Sequence, residues 1–467
     1  MIPKRLEYLQ SPDLPPAQLN EIFENADEEL HLVGGSVRDA FLERQVDDYD
    51  FATSARPDRI AQLLEGWADS IYKVGEAFGT VAALKDGHTV EITTFRSEVY
   101  RDDSRKPVVT YSDNIETDLS RRDFTVNAIA LSMGALETID PYGGLTDLAA
   151  KKLRTPLDPE ISFGDDPLRM LRLFRFQAML GFTPDESAVI AVRKMARRLE
   201  IISAERIRDE LSKLLTAPRP GTALNMVVAT GLADQFLPEL PLLAMEQDPM
   251  QKHKDVLAHT FAVVDKASPD LVLRLAALLH DVGKPDTREF GPRGVTFHHH
   301  EVVGARMTRR RLRALRYPKE IVDDASQLVF LHLRPHTLKL GWTDSAVRRY
   351  VRDAGPLLDK LNELVRCDVT TANKRREKAI QVGIDDLEER IIDLSAREEL
   401  AKLRAPIDGH QLMEYLGIDP GPQIGLIMDI LLEKRIEDGP YPPDEAYQVA
   451  RNWATENGIP DPGPPPQ

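Results

Sequence analysis

The hydrophobic period of this chain changes near residue 150, and that change restricts the folds open to it. Between about 28 and 150, "HLVGG", "YDFAT", "TVAAL" and "TVEITTFR" read as short strands punctuated by glycine, while "DRIAQLLEGWA" has helical spacing. Beyond 150, "DPLRMLRLFRFQAMLGF", "SAERIRDELSKLLT", "DLVLRLAALLHDVG" and "DDLEERIIDLSAREELAKLR" repeat apolar residues at three and four. The pattern predicts an α+β head followed by an almost wholly helical remainder. Breakers at "DPYGG", "APRPG" and "GPYPP" suggest the divisions. We expect a helical segment over 1–27, a head over 28–150, a neck over 151–225, a body over 226–375, a tail over 376–456 and a disordered end over 457–467.

The 467 residues suit about three domains on the prior of roughly 100–200 residues each. A single cysteine, Cys367, cannot close an intramolecular disulfide, so a reduced, cytoplasmic setting is expected. The first residues carry no apolar core of signal-peptide type, and "LVLRLAALLHDVG" is interrupted by Arg274, so neither export nor a membrane span is expected. A net charge of −16 opposes sequence-blind adhesion to nucleic acid. Local basic clusters at 121–123, 193–198, 306–316 and 373–378 leave room for a patch that the total does not describe.

Side chains two apart on a strand share a face, so Asp48 and Asp50 in "VDDYDFAT" present paired carboxylates while Asp47 turns away. Magnesium favours such hard oxygen ligands, completed by phosphate oxygens. Upstream, in "LVGGSVRDAF", Gly34 and Gly35 lack the Cβ atoms that would keep a phosphate from the backbone, and Arg38 falls in the first turn of the helix that follows. Glu91 offers a third acid on another strand, on the side opposite Val90 and Ile92. Two metals held there would serve in-line phosphoryl displacement, and Arg122 would hold a triphosphate or pair with Asp123.

"LVGGSVRDAF…DDYDFAT", "RRDFTVNAIA", "DPYGG", "FGDDPLRMLRLFRF" and "ISAERIRDELSKLL" resemble, in this order, the motifs of class II tRNA nucleotidyltransferases, the CCA-adding enzymes and their poly(A) polymerase relatives. The segment 405–439 resembles that family's C-terminal part. The resemblance implies a polymerase-β-type nucleotidyltransferase head with a mixed β-sheet, an all-α neck, an HD-type body and an RNA-binding tail. It makes Asp48 and Asp50 the Mg²⁺ ligands, with Glu91 as a third catalytic acid, and brings Gly34, Gly35, Arg38 and Arg122 to the nucleotide. The implied partners are tRNA, CTP and ATP. The family often has Glu where Asp165 stands here; Asp166 and Arg169 occupy the base-reading positions.

That last assignment agrees with base chemistry. Cytosine and adenine set an exocyclic amine beside a ring-nitrogen acceptor, whereas guanine and uracil set a carbonyl beside a ring N–H. A carboxylate on Asp166 and a guanidinium on Arg169, three apart on one helix, suit the first pair and mismatch the second. Arg172 and Arg175 continue the stripe, to orient that pair or to touch nucleotide.

In the body, "LAHTF", "LLHDVGK", "FHHHEVVGA", "FLHLRP" and "RCDVTT" supply His259, His280, Asp281, His300, His332 and Asp368. These resemble the ligands of the HD phosphohydrolase superfamily and imply a second divalent-metal site. His298 and His299 are left unassigned. A poly(A) polymerase shares the head, but its family carries a basic, histidine-bearing strand where this chain has "IYKVGEAFGTVAAL". CC-only enzymes lack a loop that "SEVYRDDSRKPVVTYSDNIETD" retains, and an A-only product stays open. A metal phosphohydrolase with a silent head is the reading of a different class.

Overall fold

The computed structural model describes residues 4–44, 48–72, 79–99, 108–112, 114–245, 255–291, 294–337, 342–369, 374–398 and 403–466. Asp47, and residues 73–78 and 100–107 of the stretches on which the poly(A) and CC-only distinctions turn, lie outside them. The chain divides into two compact units, Met1–Leu242 with Ala314–Arg316, and Leu243–Arg313 with Tyr317–Gln467.

The first unit opens with α1 (Pro15–Glu24), β1 (Leu30–Val33), α2 (Gly35–Phe41), β2 (Asp48–Thr53), α3 (Pro57–Leu64), β3 (Ser70–Tyr72), β4 (Thr80–Lys85) and β5 (His88–Thr94). A hairpin of β6 (Arg96–Val99) and β7 (Val108–Tyr111) follows, then α4 (Ile115–Ser120), β8 (Ala130–Ser132), β9 (Thr138–Ile139) and α5 (Gly144–Ala150). Seven strands form one sheet in the order β3-β4-β5-β2-β1-β8-β9. The sheet is mixed, because β2 runs parallel to β5 while its other pairings are antiparallel. Alternation gives it two apolar faces. Leu30, Leu32, Tyr49, Phe51, Val90 and Ile92 pack with Leu19, Phe23 and Ile60, while Val33, Ala52 and Ala130 pack with Ile115 and Leu119.

The neck consists of β10 (Lys152–Leu153), α6 (Pro159–Asp165), α7 (Leu168–Leu180), β11 (Thr183–Pro184), α8 (Glu186–Met195), α9 (Ala204–Leu215) and α10 (Pro220–Ala229). "APRPG" is not a boundary. Pro220 occupies the first turn of α10, where its missing N–H costs no helical bond, and α10 packs on α7. The first unit therefore runs on to Leu242, past the expected end of the neck at 225.

The second unit contains α11 (Val256–Lys266), α12 (Leu271–Leu279), a hairpin of β12 (Arg288–Gly291) and β13 (Gly294–Phe297), α13 (His300–Ala314), α14 (Lys319–Leu331), α15 (Asp344–Ala354) and α16 (Leu358–Asp368). The 25-residue α17 (Lys374–Glu398) leads to α18 (Gly409–Leu416), α19 (Pro422–Asp438) and α20 (Pro443–Glu456). The hairpin is the exception in an almost wholly helical remainder; phenylalanine, valine and threonine favour its short strands. The end, expected to be disordered, is held by contacts through Gly463. Arg451 grips Asp461 at 2.6 Å, the Tyr415 hydroxyl donates to Gly463 O at 2.8 Å, and Ile459 joins the tail's core. No described helix is long and apolar enough to cross a membrane.

Candidate functional site

In the head, β2 places Asp48 exposed, Tyr49 buried and Asp50 half-buried, so the two acids share the side opposite the Tyr49–Phe51 core. Asp50 is the register partner of Glu91 on parallel β5, which brings the third acid to the same side. The strand is tied to the glycine turn by a residue that sequence reasoning passed over: Ser36 Oγ donates to Asp48 O at 3.0 Å and accepts from Asp50 N at 3.1 Å.

Gly34 has a different role from the one expected. Its φ is +70°, and a Cβ there would stand 2.8 Å from Arg122 Nη1 and 3.6 Å from Asp50 Oδ2. The glycine makes room for a guanidinium beside the acid, and its backbone conformation is one that side chains resist. At Gly35 a Cβ would meet Arg38 at 3.5 Å, an ordinary contact. Arg122 pairs with Asp118 at 3.1 Å, not with Asp123, and its buried Nε has no hydrogen-bond partner. Asp118 is fully buried and also takes Arg121 at 2.6 Å; burial pushes its carboxyl up, but the two arginines hold it below the usual range.

Asp50 goes the other way. Burial raises its carboxyl to about 6, with Glu91 and Asp48 adding to the rise against the pull of Arg122 and Arg38. Like charges converge where a cation would relieve them.

Arg38 is buried and donates to Asp39 and, at 2.6 Å, to Asn127 Oδ1. Asn127 Nδ2 donates to Asp123 Oδ1 at 2.9 Å, and Asp123 Oδ2 accepts from Arg172 Nε at 2.9 Å. Burial pushes the Asp123 carboxyl up; Arg172 and Asn127 outweigh it and hold the group far below its usual range. Asn127 and Asp123 thus connect the head's arginine to the neck's.

The pair expected to read the base is arranged otherwise than its spacing implies. Asp166 precedes α7 rather than lying on it: Oδ1 accepts from Leu168 N at 3.1 Å, and Oδ2 from Arg206 at 2.7 Å. A proline at 167 and the carboxylate's preference for capping explain why the helix begins after it. Arg169 is in the first turn, with Nη1 donating to Ser162 Oγ at 2.9 Å and Nη2 to the Arg121 carbonyl. Arg172 and Arg175 are held by Glu210 of α9 and gather over the Phe176 ring. Their engagement fits orienting the pair better than touching nucleotide.

In the second unit all six expected residues come together. His259 Nε2 lies 2.9 Å from Asp368 Oδ1; His280 Nε2 lies 3.2 Å from Asp281 Oδ2 and 3.3 Å from His259 Nε2; His300 Nε2 lies 3.4 Å from Asp281 Oδ1. Two triads, His259/His280/Asp368 and Asp281/His300/His332, each have donor atoms within 4.8 Å of one another. His280, His300 and His332 direct Nδ1 at the carbonyls of Ala277, Phe297 and Val329, at 2.8, 2.8 and 2.6 Å. A donating Nδ1–H fixes the tautomer that offers the Nε2 lone pair to a metal. The Nε2 atoms of His300 and His332 are buried without hydrogen-bond partners, which fits a bound cation.

Lys284, within the quoted "LLHDVGK" but not singled out, donates to Asp281 at 2.6 Å. Gly283 brings that loop against α13, since a Cβ would run into the His300 carbonyl. Burial lowers the proton affinity of both buried imidazoles. At His280, Asp281 and Asp368 reverse this to about 10; at His332, the neighbouring His280 lowers it further, to about 3. His298 and His299 are exposed and outside the cluster.

The chain matches family models described as "Poly A polymerase head domain" over residues 30–154, "Probable RNA and SrmB- binding site of polymerase A" over 181–243 and "HD domain" over 256–394. It is 34% identical over 441 residues to the A-adding tRNA nucleotidyltransferase of Deinococcus radiodurans, covering 91% of this chain and 95% of that one. A CCA-adding enzyme of a Geobacillus species is 42% identical over 224 residues, 48% of this chain and about half of the relative, at 53%. Among solved structures, the Bacillus stearothermophilus CCA-adding enzyme in complex with CTP has a like fold. Its TM-score is 0.69 at 24% identity, over 95% of this chain and 100% of that one.

Proposed function

We propose, for a chain that belongs to the tRNA nucleotidyltransferase and poly(A) polymerase family, the addition of CCA to tRNA 3′ ends from CTP and ATP in the cytoplasm. Pyrophosphate is released, and protein side chains take the place of a nucleic-acid template. The observation that carries this reading is the meeting of Asp50, the Gly34 turn and Arg122 beside the central strand of the head sheet.

Asp48 and Asp50 would hold Mg²⁺, with Glu91 as the third acid. The oxygen donor set and the raised Asp50 carboxyl suit a hard divalent cation, which when bound supplies charge neutralisation and acidifies the attacking ribose hydroxyl. Arg122, with its spare buried Nε–H, and Arg38 would bind triphosphate oxygens and fix the α-phosphorus for in-line attack. Asp166 would accept from the amine of cytosine or adenine once Arg206 yields, and Arg169 would donate to the ring nitrogen after releasing a carbonyl.

The test is incubation with tRNA lacking its 3′ CCA, each nucleotide being supplied separately and together, followed by sequencing of the ends. Terminal CCA with both nucleotides is expected. Long adenosine tails, or no extension, overturn the reading.

The whole-length relative named as A-adding favours a second outcome, a single A placed only on tRNA already ending in CC. The same experiment with that tRNA separates the two. The histidine–aspartate cluster supports a further activity, in which His259, His280, Asp281, His300, His332 and Asp368 would hold a divalent metal that activates water against phosphate esters. Hydrolysis of bis(p-nitrophenyl) phosphate, lost in His280→Ala while nucleotide incorporation persists, tests that assignment.

A further inference from the structure

The β12–β13 hairpin holds none of the six residues of the histidine–aspartate cluster, yet it is tied to that cluster at two points. It leads into α13, whose first residue is His300, and the Phe297 carbonyl lies 2.8 Å from His300 Nδ1. The Phe297 ring centroid is 5.7 Å from Lys284 Nζ, and the same ammonium donates to Asp281. Cross-strand pairing decides what else lies on that side. Arg288 stands opposite Phe297 and Phe290 opposite Val295, so these four share one face, while Glu289 and Thr296 share the other.

The acid is thus turned away from a face that carries an arginine and two aromatic rings. Arg288, Val295 and Phe297 are half-buried there, but Phe290 is 73% exposed, the most exposed large apolar side chain among the described residues. A lone exposed phenylalanine is ordinary. This one has a cation on it and a cluster of metal-ligand type at the foot of its face. The Arg288 guanidinium stands 4.8 Å from the Phe290 centroid, which covers one side of the ring, and the exposure leaves the other side open. Phe290 lies two residues beyond Arg288, about 7 Å along the strand. Lys284, Phe297, Arg288 and Phe290 therefore form a short track in which cations alternate with rings. Single strands of nucleic acid are held in this way, phosphates by the cations and bases by the ring faces. A phosphate ester without a base has no use for the outer ring.

We propose that the hairpin is a nucleobase platform for the cluster, and that the ester cleaved there is a nucleotide phosphodiester, its base stacked on the open side of Phe290 and its phosphate drawn to Lys284. The proposal rests on the reading of the cluster as a phosphohydrolase. In the step it serves, a water oxygen bonds to phosphorus and one P–O ester bond breaks. The departing oxygen keeps the electron pair and takes a proton from the water, leaving a phosphomonoester and a hydroxyl compound.

The experiment uses the full chain with Mg²⁺, Mn²⁺ or Ni²⁺ added in turn, and two esters that share one leaving group. Adenosine 5′-(p-nitrophenyl phosphate) carries a base; methyl p-nitrophenyl phosphate carries none. kcat and KM are measured for both in wild type, Phe290→Ala, Phe290→Tyr, Arg288→Gln and His280→Ala, each with its melting temperature. Wild type should prefer the adenosine ester about tenfold or more in kcat/KM. Phe290→Ala should remove most of that preference through KM, Phe290→Tyr should retain it, and Arg288→Gln should lower it about threefold. A preference equal in wild type and folded Phe290→Ala overturns the proposal. If neither ester is cleaved faster than by His280→Ala, the phosphohydrolase reading fails, and binding alone decides the platform. Titrating Phe290→Trp with adenosine 5′-monophosphate in the absence of metal should then quench fluorescence beyond the change seen in wild type. No added quenching overturns the platform as well.

Discussion

The acids of the head and the histidine–aspartate cluster of the second unit treat charge in opposite ways. Asp48, Asp50 and Glu91 face one another from adjacent strands, and burial together with like charge keeps Asp50 high, at about 6. In the cluster each acid has cationic or proton-donating neighbours. Asp281 touches His280, His300 and Lys284, and although burial raises its carboxyl, those partners hold it well below the usual range. The head therefore relies on a cation brought with its substrate, whereas in the cluster Lys284 and the imidazoles compensate Asp281 while the buried Nε2 atoms of His300 and His332 are still left for a metal.

The widest test of this contrast is Asp50→Asn. Incorporation of CTP and ATP into tRNA should fall by about 10³-fold or more, because metal-assisted stabilisation of the phosphoryl transition state goes with it. Hydrolysis of a simple phosphodiester should stay at the wild-type rate; equal losses of both activities would erase the distinction. Asp281→Asn should act on folding as well as on phosphodiester hydrolysis. It strands Lys284 and His280 in a buried site, at a cost of about 3–5 kcal/mol in the denaturant unfolding of the second unit. A melting curve like that of wild type would mean the cluster is not internally compensated.

Glu91→Gln should lower incorporation by about tenfold, less than Asp50→Asn, since its carboxylate is exposed on the flanking strand whereas Asp50 is half-buried. Its measurement also sharpens the electrostatic account, because Asp50 should then titrate closer to the usual range. The pH dependence has a definite sign. Folding raises the Asp50 carboxyl from 3.8 to about 6, so it favours the protonated form. The stabilisation is complete below about pH 4 and is lost as pH rises through about 6. Melting temperatures of chelator-treated protein should show this fall, Mg²⁺ should reverse it, and Asp50→Asn should flatten it. A slope unchanged in that variant would assign the titration to another group. The smallest effect is expected for Ser36→Ala, which removes two hydrogen bonds and about 1 kcal/mol. KM for the nucleotide should rise modestly as β2 loosens from the glycine turn.

Local periodicity made much of the head legible. A period of two set Asp48 and Asp50 on one face and gave β1, β2, β4 and β5 near their observed limits. The HD ligands were legible through resemblance, helped by the adjacency of His280 and Asp281. Partners at long range were not. Arg122 reaches back one helical turn to Asp118 because Asp123 is taken by Arg172, 49 residues later. Nothing in "RRDFTVNAIA" reveals that competition. Asn127 and Glu210 read as ordinary polar residues until Arg38 and Arg175 are brought to them. The hairpin at 288–297 was hidden because its strands are only four residues each, inside a strongly helical background.

By itself the sequence determined which side chains could act: alternation and helical spacing are properties of neighbouring residues, and they survive any arrangement of the rest. Tertiary structure decided how those side chains are charged and held. Charge and burial depend on distance in space, so only folding could set Arg122 against Asp50 over a glycine and lock three histidines by their Nδ1 protons. The same physics brought Glu210 of α9 to Arg172 and Arg175, a contact that their spacing along one helix does not contain.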